Sequence, residues 1–125
     1  MVADERRYSQ EHEWVLLEGE IGTIGVTEYA ASELGDVVFV ELPEVGSEVN
    51  MGEAVGTIES VKAVADLFAP VSGEIVEVNE AVADTPELVN TDPLDAGWLM
   101  KIRLADTAEL DQLLDASGYE SLLGG

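Results

Sequence analysis

The sequence predicts a mostly β fold, a small sandwich or barrel of antiparallel strands with a few short helices. Three observations predict it. Short runs rich in Val, Ile, Leu and Phe recur between residues 14 and 104. Turn formers separate them, among them Gly19, Gly35, Pro43, Gly46 and the Pro70-Val71-Ser72-Gly73 cluster. Only two segments carry a helix signal. Short strands at close spacing, without long helices to cross between them, pair antiparallel.

Each element has its own local reason. Residues 14–17 and 21–26 are two β-rich arms around Gly19, a hairpin. Thr27 is placed to cap a helix over residues 28–34, and Gly35 to end it. Residues 36–42 form a strand that Pro43 stops, and Gly46-Ser47 mark a loop. Residues 53–59 and 63–68 read as two strands around a tight turn, a hairpin of about residues 53–69. In residues 74–78 the alternation puts Ile75 on the face opposite Val76 and Val78. Residues 98–104 form a late strand. Asp106-Thr107-Ala108-Glu109 resembles a capping box that opens a helix, with Leu110, Leu113 and Leu114 on one face and Gly118 as its end. A short echo, Gly52-Glu53-Ala54-Val55-Gly56 against Gly73-Glu74-Ile75-Val76-Glu77, fits a sandwich of two similar halves.

The chain has 125 residues, the length of one domain, and no linker or low-complexity tract divides it. Its 27 acidic against 5 basic residues give a net charge of −22. Such charge produces disorder only where hydrophobicity is low, and 46% hydrophobic residues place this chain among folded domains. The acids are spread from Asp4 to Glu120 and lysine is reduced to Lys62 and Lys101. An acidic skin of that kind reads as adaptation to a salt-rich cytoplasm rather than as one patch for a basic partner. Nucleic-acid binding, which needs a basic footprint, is excluded. The absence of cysteine excludes disulfides and thiol catalysis by the chain. Residues 1–7 contain no apolar leader, and no run of about 18 apolar residues exists to span a membrane. The expectation is a soluble, cytoplasmic protein.

Lys62 stands out. It lies in Glu59-Ser60-Val61-Lys62-Ala63, between two strand signals. A lysine at a hairpin tip is ordinarily a solvated charge. Here lysine is scarce, and Val61-Lys62 is none of the Asn-Gly, Asp-Gly or Gly-Gly pairs that tight turns favour. The residues by themselves say only that an unusual exposed lysine sits on a turn. The sequence around it says more. Glu59-Ser60-Val61-Lys62-Ala63 resembles the lipoylation motif of glycine cleavage H proteins, in which the lysine amine is amide-linked to lipoic acid. His12-Glu13-Trp14-Val15, Ile24-Gly25-Val26-Thr27 and the stretch from Leu34-Gly35-Asp36 to Leu42-Pro43 are similar to the same family. So are Pro70-Val71-Ser72-Gly73-Glu74, Val76-Glu77-Val78-Asn79, Leu88-Val89-Asn90, Pro93, Gly97-Trp98 and Lys101-Ile102. The likeness runs from about Tyr8 to Tyr119; the acidity of the surface is the main departure.

The resemblance implies a barrel-sandwich hybrid over residues 1–125, with lipoic acid on Lys62 and with Glu59, Ser60, Val61 and Ala63 as its recognition context. It implies a non-catalytic shuttle for the aminomethyl group of glycine. The implied partners are glycine decarboxylase (P protein), the tetrahydrofolate-dependent aminomethyltransferase (T protein), dihydrolipoyl dehydrogenase (L protein), and a lipoate ligase or lipoyltransferase. It also implies that Glu13 and Asp66 shelter the loaded arm. Asp66 interrupts the apolar run 63–68, where a solvated acid is not required. A lipoyl relay to other carriers, a biotinyl module and a 2-oxo acid dehydrogenase lipoyl domain are the alternatives. Biotinyl modules flank the lysine with methionines, whereas Val61 and Ala63 stand here.

Other residues read as structural. His12, the single histidine, lies between Glu11 and Glu13, where strand neighbours would point to opposite faces and could not share a metal. A small hydrolase built on His12 is the rival of another class. Gly19-x-x-Gly22-x-x-Gly25 lacks the helix context of a dinucleotide site. Trp14 and Trp98 are candidate core anchors, and Leu110, Leu113 and Leu114 core leucines rather than a zipper.

If the acidic skin is a salt adaptation, the melting temperature rises from low salt to molar KCl, because the screening length falls to about 3 Å at 1 M. A thermal scan across that range checks it; a flat or falling trend favours the partner patch.

Overall fold

The computed structural model describes residues 6–124. The leaderless stretch read at the N-terminus, and with it Asp4, lies up to residue 5 outside the described residues. Two antiparallel sheets form the body. The larger has six strands: β1 (Arg7–Tyr8), β2 (Glu13–Glu18), β3 (Ile21–Val26), β5 (Glu48–Val49), β8 (Gly73–Val78) and β9 (Met100–Leu104), in spatial order β1-β2-β3-β9-β8-β5. The smaller has three: β4 (Val37–Glu41), β6 (Ala54–Ser60) and β7 (Val64–Phe68), in order β4-β6-β7. The fold is mostly antiparallel β with short helices, as the strand pattern predicts. Among the described residues no helix is long and apolar enough to cross a membrane.

Side-chain alternation assigns the faces. Val15, Ile24, Ile75, Met100 and Ile102 fill the core of the large sheet. Val40, Ile58 and Leu67 of the small sheet pack with Ala31 of α1 (Glu28–Leu34), Val82 of α2 (Glu80–Asp84) and Val89 of α3 (Leu88–Thr91). Val55 touches both cores. A third cluster joins the chain ends: Tyr8, Trp14 and Tyr119 are buried, with Trp98 and Leu114 against them. A Cβ on Gly25 would stand 2.6 Å from the Trp14 ring, so the indole lies where only glycine leaves room.

The helix reading over residues 28–34 agrees with α1. The Thr27 hydroxyl accepts from the Ala30 amide at 3.2 Å, and Gly35 ends the helix at φ 75°. Other readings need correction. Ile75 and Val78 share the core side, because a bulge between Ile75 and Glu77 inserts one residue and reverses the parity beyond it. The segment after Asp106 is a 3-10 helix over Thr107–Gln112. Its Glu109 does not close a capping box; the carboxylate accepts from the Ser72 amide and hydroxyl, at 2.6 and 2.9 Å. Gly118 does not end a helix but lies within α4 (Ala116–Gly124). The two halves of the sequence echo open strands in different sheets, β6 and β8. Two-residue strands and one-turn helices such as β1, β5 and α3 escaped the sequence pattern because they are too short to show a period.

Candidate functional site

Lys62 occupies the turn between β6 and β7 and is exposed. The turn chemistry missing from Val61-Lys62 comes from Ser60. Its backbone amide donates to the Ala63 carbonyl at 2.8 Å. Its hydroxyl donates to that carbonyl at 3.2 Å and accepts from the Ala63 amide at 3.1 Å. A serine that mimics turn hydrogen bonds removes the need for glycine. The Val61 amide donates to the Asp36 carbonyl at 3.0 Å, tying the tip to the segment before β4.

That segment is itself clamped. Asn90 of α3 donates to the Gly35 carbonyl at 2.6 Å and accepts from the Val37 amide at 2.9 Å. A Cβ on Gly35 would lie 3.3 Å from Lys62 Cε, so the lysine stem passes over a glycine. Among the described residues Lys62 makes no ion pair, whereas Lys101 lies 3.7 Å from Glu77 and 5.2 Å from the Trp98 ring. One of the two lysines is tethered on the sheet; the other projects from a braced platform. Asn90 was legible only as part of a motif, since its partners are far away in sequence.

Along β7, Val64 and Asp66 face outward while Ala65 and Leu67 turn inward. Asp66 is exposed, opposite Thr57 of β6. Glu59 is exposed on β6, and Val61 and Ala63 are exposed in the turn. Glu13 lies at the far end of β7 and is only 2% exposed. Its carboxylate accepts from the Phe68 amide at 2.9 Å and from the Ser9 hydroxyl at 3.1 Å. It borders a cleft of about 230 Å³ that Glu11, Met51, Phe68 and Pro70 also line. Burial pushes its pKa from 4.5 up to about 7, against the lowering by its Phe68 and Ser9 hydrogen bonds. The structure thus brings Glu13 to β7 two residues from Asp66, but buries the first and exposes the second.

His12 is not on a strand. It sits in the turn before β2 at φ 69°, a left-handed position costly for a residue with a Cβ. Its Nδ1 lies 2.8 Å from the Tyr119 hydroxyl, which is also 2.6 Å from the Thr27 hydroxyl. Tyr119 stacks on Tyr8 with centroids 4.7 Å apart. Burial raises the Tyr119 pKa, so the phenol stays protonated and able to donate. His12 therefore holds α4 against the turn between Ser9 and Glu13. Among the described residues no group of three His, Asp or Glu side chains is placed to hold a metal ion.

Residues 6–124 match a family model described as glycine cleavage H-protein. The chain is 52% identical over 123 residues to the glycine cleavage system H protein of Carboxydothermus hydrogenoformans, covering 98% of this chain and 95% of that one. It is 54% identical over 123 residues to the one from Staphylococcus haemolyticus, covering 98% of each chain. The crystal structure of a glycine cleavage system H protein from Mycobacterium marinum superposes with a TM-score of 0.91 at 42% identity, over 99% of this chain and 100% of that one.

The buried carboxyl gives a pH-dependent stability of definite sign. Glu13 keeps its proton in the folded state up to about pH 7, where the unfolded chain has lost it from about pH 4.5. Its contribution is complete below the unfolded value and is lost as pH rises through about 7. Glu13→Gln, whose amide can replace both hydrogen bonds, gains stability over wild type at pH 8, by about 3 kcal/mol at most. The gain disappears at pH 4. Denaturant melts at the two pH values check this.

Proposed function

The chain belongs to the glycine cleavage H-protein family, and from that premise we propose that it is a lipoyl-bearing shuttle with Lys62 as the attachment point. The proposed cargo is the aminomethyl group derived from glycine. It passes from the decarboxylase to the tetrahydrofolate-dependent aminomethyltransferase, and dihydrolipoyl dehydrogenase restores the arm. The chain acts as one carrier domain in the cytoplasm, with the hairpin of residues 53–69 as its arm-bearing part, and has no catalytic duty of its own.

The observation that carries the reading is the contrast between the two lysines. Amide formation needs an amine that another protein can reach. Lys62 offers one at an exposed tip, without an ion pair among the described residues, whereas Lys101 is engaged by Glu77 and Trp98. The residues present therefore fit an acyl group at Lys62. When bound, the lipoyl group supplies a disulfide that accepts the cargo and thiols that thiol–disulfide exchange resets. The protein supplies presentation. Ser60 shapes the turn, Asp36 and Asn90 brace it, and Gly35 leaves the lysine stem its path.

Glu13 and Asp66 fit a sheltering role. Asp66 is the second outward-facing residue of β7 after the turn that carries Lys62. It offers an exposed carboxylate to the ammonium of the cargo. Glu13 adds a second carboxyl at a partly dry cleft, where charge-assisted hydrogen bonds are stronger than in water.

Peptide mass mapping of protein from its native host finds one lipoyl group, on Lys62 and not on Lys101. Lys62→Arg abolishes glycine–bicarbonate exchange and leaves the fold intact, because a turn-tip side chain contributes little packing. Lipoyl on Lys101, biotin on Lys62 or an active Lys62→Arg protein overturns the assignment.

The shelter gives a separate expectation. Glu13→Ala and Asp66→Ala speed non-enzymatic release of the aminomethyl group roughly tenfold, the scale of one hydrogen bond to a charged group, without lowering lipoylation. Release rates equal to wild type leave Asp66 as one surface acid among many and Glu13 as a buried structural carboxyl.

A further inference from the structure

The smaller sheet has one covered face and one bare face. Register places Phe39, Glu59 and Val64 side by side across β4, β6 and β7 on the bare side, and Glu41, Thr57 and Asp66 in the next such row. Residues paired in register share a face, and strands lie about 4.8 Å apart, so the first row is about 10 Å wide. Phe39 is 48% exposed and Val64 66%; beside them lie Val38 on the β4 bulge at 53% and Val61 in the turn at 70%. Half of the exposed large apolar side chains among the described residues are gathered here. An apolar cluster of this kind on an otherwise charged surface marks an interaction site. Glu59 stands in its middle, and Asp36, Glu41 and Asp66 lie around it. The single cation of this sheet and its turns is Lys62.

We propose that this face is the docking surface for the enzyme that acylates Lys62, and that the enzyme meets it with apolar side chains interspersed with arginine and lysine. The proposal rests on Lys62 as the attachment point and says who reads the surrounding sheet. Reach selects this occupant over the others. A partner that uses the finished arm works at its far end and can dock well away from the hairpin. The acylating enzyme works on Nζ itself, so its active site must approach within bonding distance. The row Phe39-Glu59-Val64 is the first outward-facing row of the sheet behind the turn, so it lies under whatever closes on Nζ.

The chemistry fixes the charge balance. The unprotonated amine attacks the carbonyl carbon of an activated acyl group, an acyl phosphate-type anhydride or a thioester. A C–N bond forms, the bond to the leaving group breaks, the phosphate or thiolate departs with the electron pair, and the nitrogen loses one proton to solvent. Acylation therefore removes the only positive charge from an acidic face. The enzyme's basic side chains gain their attraction from the four acids, Glu59 in the middle included, and Phe39, Val64, Val38 and Val61 add contact that salt does not screen.

The test uses the full-length, unlipoylated chain with a lipoate–protein ligase, lipoate and ATP. Wild type, Phe39→Ser, Val64→Ser and the double variant are compared, with Val45→Ser as an exposed apolar control away from this sheet. The double variant lowers kcat/KM for lipoylation about tenfold, through KM, the scale of losing central apolar contacts at an interface. The control stays within about twofold of wild type. A small activated ester that acetylates exposed amines modifies Lys62 at the same rate in all of them, which shows an intact hairpin. Unchanged lipoylation kinetics in the double variant overturn the docking assignment and leave the carrier reading standing. A loss confined to the later aminomethyl transfer steps overturns it too, and gives the face to the downstream enzymes. If wild type takes no lipoyl group on Lys62, the carrier reading fails and the docking surface with it.

Discussion

The site depends on the two-residue period of the three-stranded sheet. Val40, Ile58 and Leu67 must lie inward, because α1, α2 and α3 present Ala31, Val82 and Val89 to be covered. Once those positions are set, Phe39, Glu59, Val64 and Asp66 have no choice but to face out, and the β6–β7 turn carries Lys62 to the end of the sheet. A slip of one residue would bury the acids and expose the core, which makes the register as strongly specified as the core itself. The position of the lysine is a consequence of burying aliphatic side chains several residues away.

The platform beneath the lysine is built by polar contacts between distant segments. Asn90 holds both sides of Gly35-Asp36-Val37, and Asp36 in turn accepts from the tip. Glu13 plays a comparable part at the other end of β7, where its carboxylate receives the Phe68 amide. The turn behind Glu13 is kept in place by the C-terminal helix: Tyr119 stands between His12 and Thr27, and Thr27 caps α1. The N-terminal turn, the helix before the site and the last helix thus meet at one phenol. The proposed arm pivots on a base that these hydrogen bonds hold in place.

In the proposed cycle the bare face and the two carboxyls, Glu13 and Asp66, serve at different times. Before acylation the outer rows of the sheet are open to an enzyme that must reach Nζ. Afterwards the same outward edge of β7, from Val64 past Asp66 to Phe68, leads toward Glu13 and its cleft. One strand can support both events because its alternate residues are free of the core.

Much was legible from the sequence alone. Alternating Val and Ile runs, Thr27 before a helix, Gly35 after it, and Ser60-Val61-Lys62 between two strands are local patterns, and local patterns determine local structure. The motif around Lys62 and its matches along the chain were likewise readable without coordinates. Other features were decided only in three dimensions. The bulge at Val76 put Ile75 and Val78 on one side, because pairing with β9 overrode strict alternation. Glu109 left its own helix start for Ser72, because a distant pair of donors satisfied it better than its own chain did. Glu13 and Asp66, alike in type, came out buried and exposed, and burial raises the Glu13 pKa. Burial is set by everything packed around a side chain, so a single sequence could name these two carboxyls but only the tertiary structure could tell them apart.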